Sequence, residues 1–502
     1  MATPPLNTFL LPWFSLFMII LMIFIGFKWI SFHSKPIKNL PPSPPKLPII
    51  GNLHQLGSNP HSSLQAFSKK HGPVMLIHLG GVPTLVASSA EVAREIMKTH
   101  DLSFSSRPSL AIPNILLYGS NDISFSPYGE YWRQLKSIVV LHLLSTTRVK
   151  SFQQVREEEM ALMIGMLVES NCSLVDLSEM IVSLTNNIIC RVAFGRTYHE
   201  SNFTESLRRL IDVLGVFSVG SFISWLSWVD RLSGLHGRAK KVATELDVFL
   251  EGVFEEHVHK EIRVDGKSDA GKDLVDILLE VQKEKTAGFT LQRDNLKVVI
   301  LDIFGGGIDT TSMAIDWAMS ELVKHPRVMK KLQQEVTEIA QGKSVISEED
   351  LEKMEYLKAV IKETLRLHAP LPLLIPREST QDVKLMGYDI SAGTQVIINA
   401  WALGRDSTAW EEPTEFRPER FVDNAIDYKG FHFDWIPFGG GRRRCPGIQF
   451  GVIIIELALA NLVYKFNFAL PNGAKNEELD MSEKYGFSLT RTSSLLVKLS
   501  AR

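Results

Sequence analysis

Pro437-Phe438-Gly439-Gly440-Gly441-Arg442-Arg443-Arg444-Cys445-Pro446-Gly447 is the stretch on which the reading of this chain turns. Three consecutive glycines leave the backbone bare ahead of a thiol, and three arginines run directly into it. An apolar run of helical length follows over residues 448–466. Pro446 suits the first turn of such a helix, where its missing N–H costs nothing. Cys445 is therefore expected at a helix N-terminus, where free N–H groups and the helix dipole favour a thiolate over a thiol. A thiolate in glycine-flat surroundings has room for a large planar partner at contact distance. A buried structural cysteine in a glycine-rich turn satisfies the same residues, so this stretch alone leaves both readings open.

A second oddity stands upstream, at Phe304-Gly305-Gly306-Gly307-Ile308-Asp309-Thr310-Thr311-Ser312. The periodicity predicts one long apolar helix over residues 291–324, ending before Pro326. Each interior glycine costs about 1 kcal/mol against alanine, so three cost about 3 kcal/mol. A helix carries that cost where something must approach its backbone closely, either a neighbouring helix at a crossing or a bound group. Asp309, Thr310 and Thr311 add a carboxyl and two hydroxyls to this apolar stretch. Glu363 and Arg366 form an i,i+3 pair of the kind usually found on a helix surface. Arg417 and Arg420 follow in the proline-kinked loop Phe416-Arg417-Pro418-Glu419-Arg420-Phe421.

The rest of the chain excludes whole classes of function. Its 502 residues are 45% apolar and 22% charged, a globular balance and not a disordered one. With 54 Lys+Arg against 56 Asp+Glu, the net charge is −2, and no bulk basic field exists to hold a nucleic acid. The three cysteines, Cys172, Cys190 and Cys445, cannot all pair and form no CxxC. A disulfide scaffold and a cysteine zinc finger are therefore excluded, and the bulk of the chain is expected in a reducing compartment. HExxH and GxSxG are both absent. Gly266, Gly271 and Lys272 imitate a phosphate-binding loop, but Asp273 stands where Ser or Thr must hold magnesium.

Residues 9–27 carry no charge and are dense in Phe, Leu, Ile and Met. At 1.5 Å per residue they span roughly 28 Å, close to a hydrocarbon core of about 30 Å. No Lys or Arg precedes them and no small-residue cleavage pattern follows, which argues against a secretory signal. Lys28, Lys35 and Lys38 follow instead and predict a cytosolic side for everything after them. The sequons at Asn171 and Asn202 should then stay unmodified. The expected organisation is a membrane anchor at 1–33, a proline-rich hinge at 34–50 that spaces the body from the bilayer, and a single domain at 51–502. Short β-like pieces at 74–79 and 84–86 precede helical periodicity at 90–98, 130–143, 149–169, 176–194, 239–260, 273–284 and 326–341.

Taken together, these motifs resemble the cytochrome P450 family. Its haem-binding pattern F-x-x-G-x-R-x-C-x-G stands here as Phe438, Gly441, Arg443, Cys445 and Gly447. The oxygen-activating pattern stands as Gly306, Gly307, Asp309, Thr310 and Thr311, and E-x-x-R as Glu363 and Arg366, with Arg420 as loop partner. Trp132, Arg133 and Lys136 match W-R-x-x-[KR]. The order holds along almost the whole chain, and the Pro-Pro-Ser-Pro-Pro hinge, residues 128–133 and Pro376-Arg377-Glu378 are similar to the plant microsomal 71 clan. The resemblance implies a mainly α fold with a small β-rich lobe built largely from the N-terminal strands, the P450 fold, preceded by one transmembrane helix.

By the same resemblance, Cys445 is the metal ligand, the axial thiolate of heme b (iron protoporphyrin IX), and Trp132, Arg133, Arg377 and Arg443 neutralise its propionates. Asp309 and Thr310 relay protons for oxygen activation, and Glu363, Arg366 and Arg420 form a structural network. Also implied are two electrons from NADPH through a flavoprotein reductase docking near Arg442 and Lys136, and a single-pass endoplasmic reticulum location with a cytosolic catalytic domain. Two departures stand out. Arg444 precedes the ligand where relatives more often carry an apolar or small residue, and is expected to face solvent; Gly306 and Ile308 replace the commoner Ala and Thr. The family's substrate-facing stretches map to residues 105–121, Phe304 with Gly305, residues 369–375 and residues 487–490. The apolar character of 369–375 points to a small lipophilic substrate and O2, in specialised (secondary) metabolism. Aldoxime dehydration, isomerisation without dioxygen, and a non-catalytic haem sensor remain as alternatives.

Overall fold

The computed structural model describes residues 18–19, 21–22, 39–170, 173–198, 203–261, 271–284 and 291–502. Nearly all of the 9–27 segment, Asn171, Cys172, Asn202 and most of the 266–272 loop lie outside the described residues. The long elements are helices: α1 (Pro60–His71), α2 (Ala90–Arg94), α3 (Glu130–Ile138), α4 (Gln153–Glu169), α5 (Leu177–Phe194), α6 (Phe203–Leu214), α7 (Leu235–Glu261), α8 (Leu274–Glu284), α9 (Arg293–Lys324), α10 (Pro326–Ala340), α11 (Glu355–Leu367) and α12 (Ile448–Lys465). Their ends follow local chemistry. Asp176 caps α5 by accepting the Glu179 N–H at 3.1 Å, and Gly195 closes it at φ 70°. Pro326 opens α10 at its first position.

The helix α9 runs through the centre, packed against α5, α11 and α12, and its apolar residues join one large core. Both α9 and α12 are long and apolar enough to cross a bilayer, yet each lies buried within this core. The apolarity that hydropathy reads as membrane is here the burial of a helix covered on most sides.

The expected helix boundaries hold closely except where the backbone breaks. Residues 149–169 divide at Phe152 (φ −93°, ψ 10°), between Thr146–Ser151 and α4. The expected helices at 90–98 and 130–143 both relax into π-helical turns, Glu95–Thr99 and Val139–Leu143. The helices α1 and α6 lie outside the expected helical stretches, although α6 is strongly amphipathic.

The β-rich lobe also departs from expectation. Strands β1 (Val74–Leu79) and β2 (Val82–Ala87) form an antiparallel hairpin, but β4 (Arg377–Glu378) and β5 (Gln395–Ile398) complete the sheet in the order β1-β2-β5-β4. The β2–β5 pairing is parallel and joins residues 84–87 to 395–398. A second sheet orders β3 (Leu174–Asp176), β9 (Leu496–Ala501) and β6 (Phe466–Ala469) as β3-β9-β6, and β7 (Glu483–Tyr485) pairs with β8 (Leu489–Arg491). The lobe therefore takes as much from the C-terminal half as from the N-terminal strands. The proline segment lies along this lobe and does not stand clear of it: Pro41 and Pro44 are buried, and Pro42 O accepts the Leu76 N–H at 2.9 Å.

Candidate functional site

The loop before α12 is shaped by its glycines. Gly439 and Gly441 adopt φ of 68° and 65°, a region costly for any residue with a Cβ. At Gly441 a Cβ would also lie 2.4 Å from Asp101 Oδ1 and from Met97 O, so the loop seats directly on the turn after α2. A 3-10 turn, Gly441–Arg443, follows, and the Cys445 N–H donates to Phe438 O at 3.0 Å. Gly447 caps α12. Pro446 thus precedes the cap and is not in the first turn; Cys445 lies two residues before the cap.

The Cys445 side chain opens onto an internal cavity of about 270 Å³. Burial pushes its thiol up; the Gly447 N–H, Lys136 and Arg444 pull it the other way. The opposite wall is α9, through Gly305, Gly306, Gly307 and Thr310. A Cβ at Gly306 would meet nothing, which leaves the cavity face of the helix flat. Gly307 has a different reason: a Cβ there would lie 2.9 Å from Ile189 Cδ1 on α5. The glycine run thus serves an open cavity face on one side and a helix crossing on the other.

Three arginines are buried around this cavity. Arg443 donates to the carbonyls of Ser105 (2.7 Å), Ile123 (3.1 Å) and Ser126 (2.6 Å), and its guanidinium lies 4.1 Å from the centre of the Trp132 ring. Arg377 donates to Gly440 O at 2.7 Å and lies 3.4 Å from Asp101 Oδ1. Arg107 donates to the carbonyls of Ser124, Ile375 and Pro376. Desolvation lowers all three, Arg443 to about 9, and mutual repulsion lowers Arg107 and Arg443 further. Asp101 is shared between Arg377 and Arg442, leaving Arg107 and Arg443 facing carbonyls. Buried cations so arranged suit an anion with two separated charges.

The predicted residues divide in informative ways. Phe438, Gly447, Trp132, Arg377, Arg443, Cys445 and Thr310 all line the cavity. Arg133 does not: it is exposed on α3, one residue and about 100° around the helix from Trp132. Lys136, one turn from Trp132 on the same face, lines the cavity instead, and desolvation with Arg443 nearby lowers it to about 8. Phe304 also departs from expectation, stacking 5.0 Å from Phe194 in the core, while Ile303 lines the cavity. Asp309 sits beside the cavity wall. Burial raises its carboxyl, Ser488 hydrogen-bonds to it, exposed Asp212 raises it further, and Oδ2 is buried without a partner. Thr310 Oγ donates to Gly306 O at 2.6 Å. Arg444 is half-buried, its guanidinium hydrogen-bonded to Lys429 O, so solvent alone does not describe it.

Asp302 lines the cavity without having stood out in the sequence, and Arg107 lines it within the 105–121 stretch expected to face substrate but without having been singled out as a cation. Neither belongs to a spaced motif, and only the fold brings them there. Glu363 and Arg366, which looked like a surface pair, are fully buried at 0% side-chain exposure, and Arg420 joins them at 3.0 Å. The cavity thus combines a sulfur donor, a glycine-flat floor, a flat helix roof and buried cations at one edge. That donor set fits a planar, dianionic, metal-bearing group.

The comparisons with known proteins agree. The family described as Cytochrome P450 matches residues 41–497. The chain is 63% identical to Cytochrome P450 Tp4149 of Tanacetum parthenium and 57% identical to a 3-beta-hydroxylase of the same plant, each match covering 99% of both chains. A solved zebra fish cytochrome P450 with abiraterone shares the fold at a TM-score of 0.76 and 24% identity, covering 89% of this chain and 100% of that one. A chain matched over that length, and this similar to whole relatives, belongs to the cytochrome P450 family of haem monooxygenases.

Proposed function

We propose that this protein is a membrane-anchored haem-thiolate monooxygenase that inserts one oxygen atom from dioxygen into a small lipophilic plant metabolite. NADPH supplies two electrons through a flavoprotein reductase, and the second oxygen atom leaves as water. The observation that carries the reading is the cavity itself: Cys445 opens onto it between glycine-flat walls, with Arg377, Arg443 and Arg107 buried at its rim. When bound, the haem supplies the redox centre at which dioxygen is activated.

The chain's own residues do the rest. Cys445 holds the group through sulfur, beside the Gly447 N–H that stabilises negative charge there. Arg377, Arg443, Lys136 and Trp132 orient its carboxylates, with Lys136 taking the place expected of Arg133. Burial raises the Asp309 carboxyl, which suits it to deliver a proton to Thr310 on the cavity face of α9. Leu210, Leu301, Leu371, Leu374 and Phe487 exclude water and favour an apolar substrate. The exposed Arg442 suits an acidic redox partner, and residues 9–27 suit a bilayer.

The decisive experiment is Cys445→Ser. The reduced wild-type protein should show the strongly red-shifted carbon monoxide band of a thiolate-ligated haem, and the variant should lose it. Retention of the band in the variant overturns the assignment, because Cys190 is buried in the helical core, away from the cavity.

A further inference from the structure

Asp302 lies eight residues before Thr310 on α9 and lines the cavity, yet nothing above gives it a role. Its carboxyl is fully engaged: Oδ2 accepts the Ile123 N–H at 2.7 Å and Oδ1 accepts the Ser124 hydroxyl at 2.9 Å. It also contacts the carboxyl of Asp122. Asp122 is itself fully buried, with Oδ2 accepting the N–H groups of Ser124 (3.0 Å) and Phe125 (2.9 Å). Its Oδ1 is buried without a hydrogen-bond partner. Two carboxyls set this close raise each other's cost of ionisation, on top of the cost of burial. Desolvation and the neighbouring carboxylate push Asp302 well up, and desolvation raises Asp122 to about 6 against the pull of Arg107. Tyr131 is the other titratable group facing the pair, and its hydroxyl donates to Asn121 O at 2.7 Å.

The same loop is held from behind. Ile123 O accepts from Trp132 Nε1 at 2.9 Å and from Arg443 Nη1 at 3.1 Å. Ser124 O accepts from Arg107 Nε at 2.8 Å, and Ser126 O from Arg443 Nη2 at 2.6 Å. The side chains of Ile123, Ser124 and Phe125 meanwhile form cavity wall. With both Asp302 oxygens occupied by the loop, the carboxyl is a clamp and not a free anchor for a basic substrate.

We infer that Asp302 is a positioning residue that, with Asp122, clamps residues 122–126 between α9 and the buried arginines, and so sets the substrate-side wall and the arginine rim together. The inference rests on the haem-thiolate reading of this cavity. The test uses the full-length haem protein, titrated with imidazole and with 4-phenylimidazole and followed through the Soret band. Imidazole needs only an open position at the metal, whereas the phenyl group must also fit the wall. Asp302→Ala removes two hydrogen bonds to the loop and should weaken 4-phenylimidazole by about tenfold while imidazole stays within about twofold. Asp302→Asn keeps an acceptor for the Ile123 N–H and a donor toward Asp122, and should restore 4-phenylimidazole to within about threefold.

Parallel titrations in Asp302→Ala and wild type overturn the clamp. Equal loss of both azoles also overturns it, since that marks a general loss of the site. If Asp302→Ala fails to retain haem, Ser124→Ala takes its place: selective weakening of 4-phenylimidazole supports the clamp, and wild-type behaviour overturns it. Absence of any azole-induced Soret shift in the wild-type protein overturns the haem reading as well, which separates the two failures.

Discussion

Replacing Glu363 by alanine tests the buried charge network most severely. Glu363 Oε1 accepts from Arg366 Nη2 (2.8 Å), Arg420 Nε (3.0 Å) and the Arg417 N–H (2.8 Å), and Oε2 accepts from Arg366 Nε (2.7 Å). Four charge-assisted bonds at about 1.5–3 kcal/mol each would sum to roughly 6–12 kcal/mol if they were independent. They are not independent, because Arg366 keeps the carbonyls of Gly404, Pro413 and Glu415 after the carboxylate is gone. What remains is a buried guanidinium without its counter-charge, and removing one partner of a buried pair costs about 3–5 kcal/mol. That range is the expected loss for Glu363→Ala. Replacing both Glu363 and Arg366 with methionine removes the stranded charge and should be less destabilising than Glu363→Ala by about 1–2 kcal/mol. Urea unfolding of the haem-loaded chain, followed by far-ultraviolet circular dichroism and Soret absorbance, measures both. A Glu363→Ala protein within about 1 kcal/mol of wild type would refute the reasoning, as would a double variant less stable than the single one.

Two further outcomes concern the cavity. Thr310→Ala removes the hydroxyl that bonds Gly306 O but leaves the arginine rim and Cys445 untouched; haem content and the carbon monoxide spectrum should persist while product per NADPH falls and hydrogen peroxide rises. General acid assistance is worth about 10²–10⁴-fold, so unchanged coupling with a turned-over substrate would remove Thr310 from proton delivery. Arg133→Ala should leave haem retention at the wild-type level, since the side chain is exposed outside the cavity, whereas Lys136→Met should accelerate haem loss to an apo-protein acceptor. The opposite ranking would return the role to Arg133.

Much of the site was legible because its chemistry depends on short-range spacing. Cys445 with its flanking glycines, and Gly306 through Thr310 on one helix, are local patterns whose physical demands can be read without a fold. The same locality explains where reading failed. The W-R-x-x-[KR] match names Trp132, Arg133 and Lys136 alike, and only the 3.6-residue turn decides that Lys136 and not Arg133 shares the face of Trp132. Phe304 belongs to the apolar stretch but points into the aromatic core formed with Phe194 and Phe203.

Sequence alone determined the family, the long central helix, the position of the thiol and the apolar character of the cavity, because each rests on residues close together in the chain. The resemblance already named Arg377 and Arg443, whereas only the tertiary structure added Arg107 to them and showed what holds all three. Arg107 stands 270 residues before Arg377 and 336 before Arg443, and Asp302 reaches Ile123 and Ser124 across 179 and 178 positions. It also turned the Glu363–Arg366 pair from a surface contact into a fully buried one. Burial is a property of what packs around a residue. In a chain where β2 pairs with β5 and a loop from the first third lies against α9, those neighbours come from everywhere but the adjacent sequence.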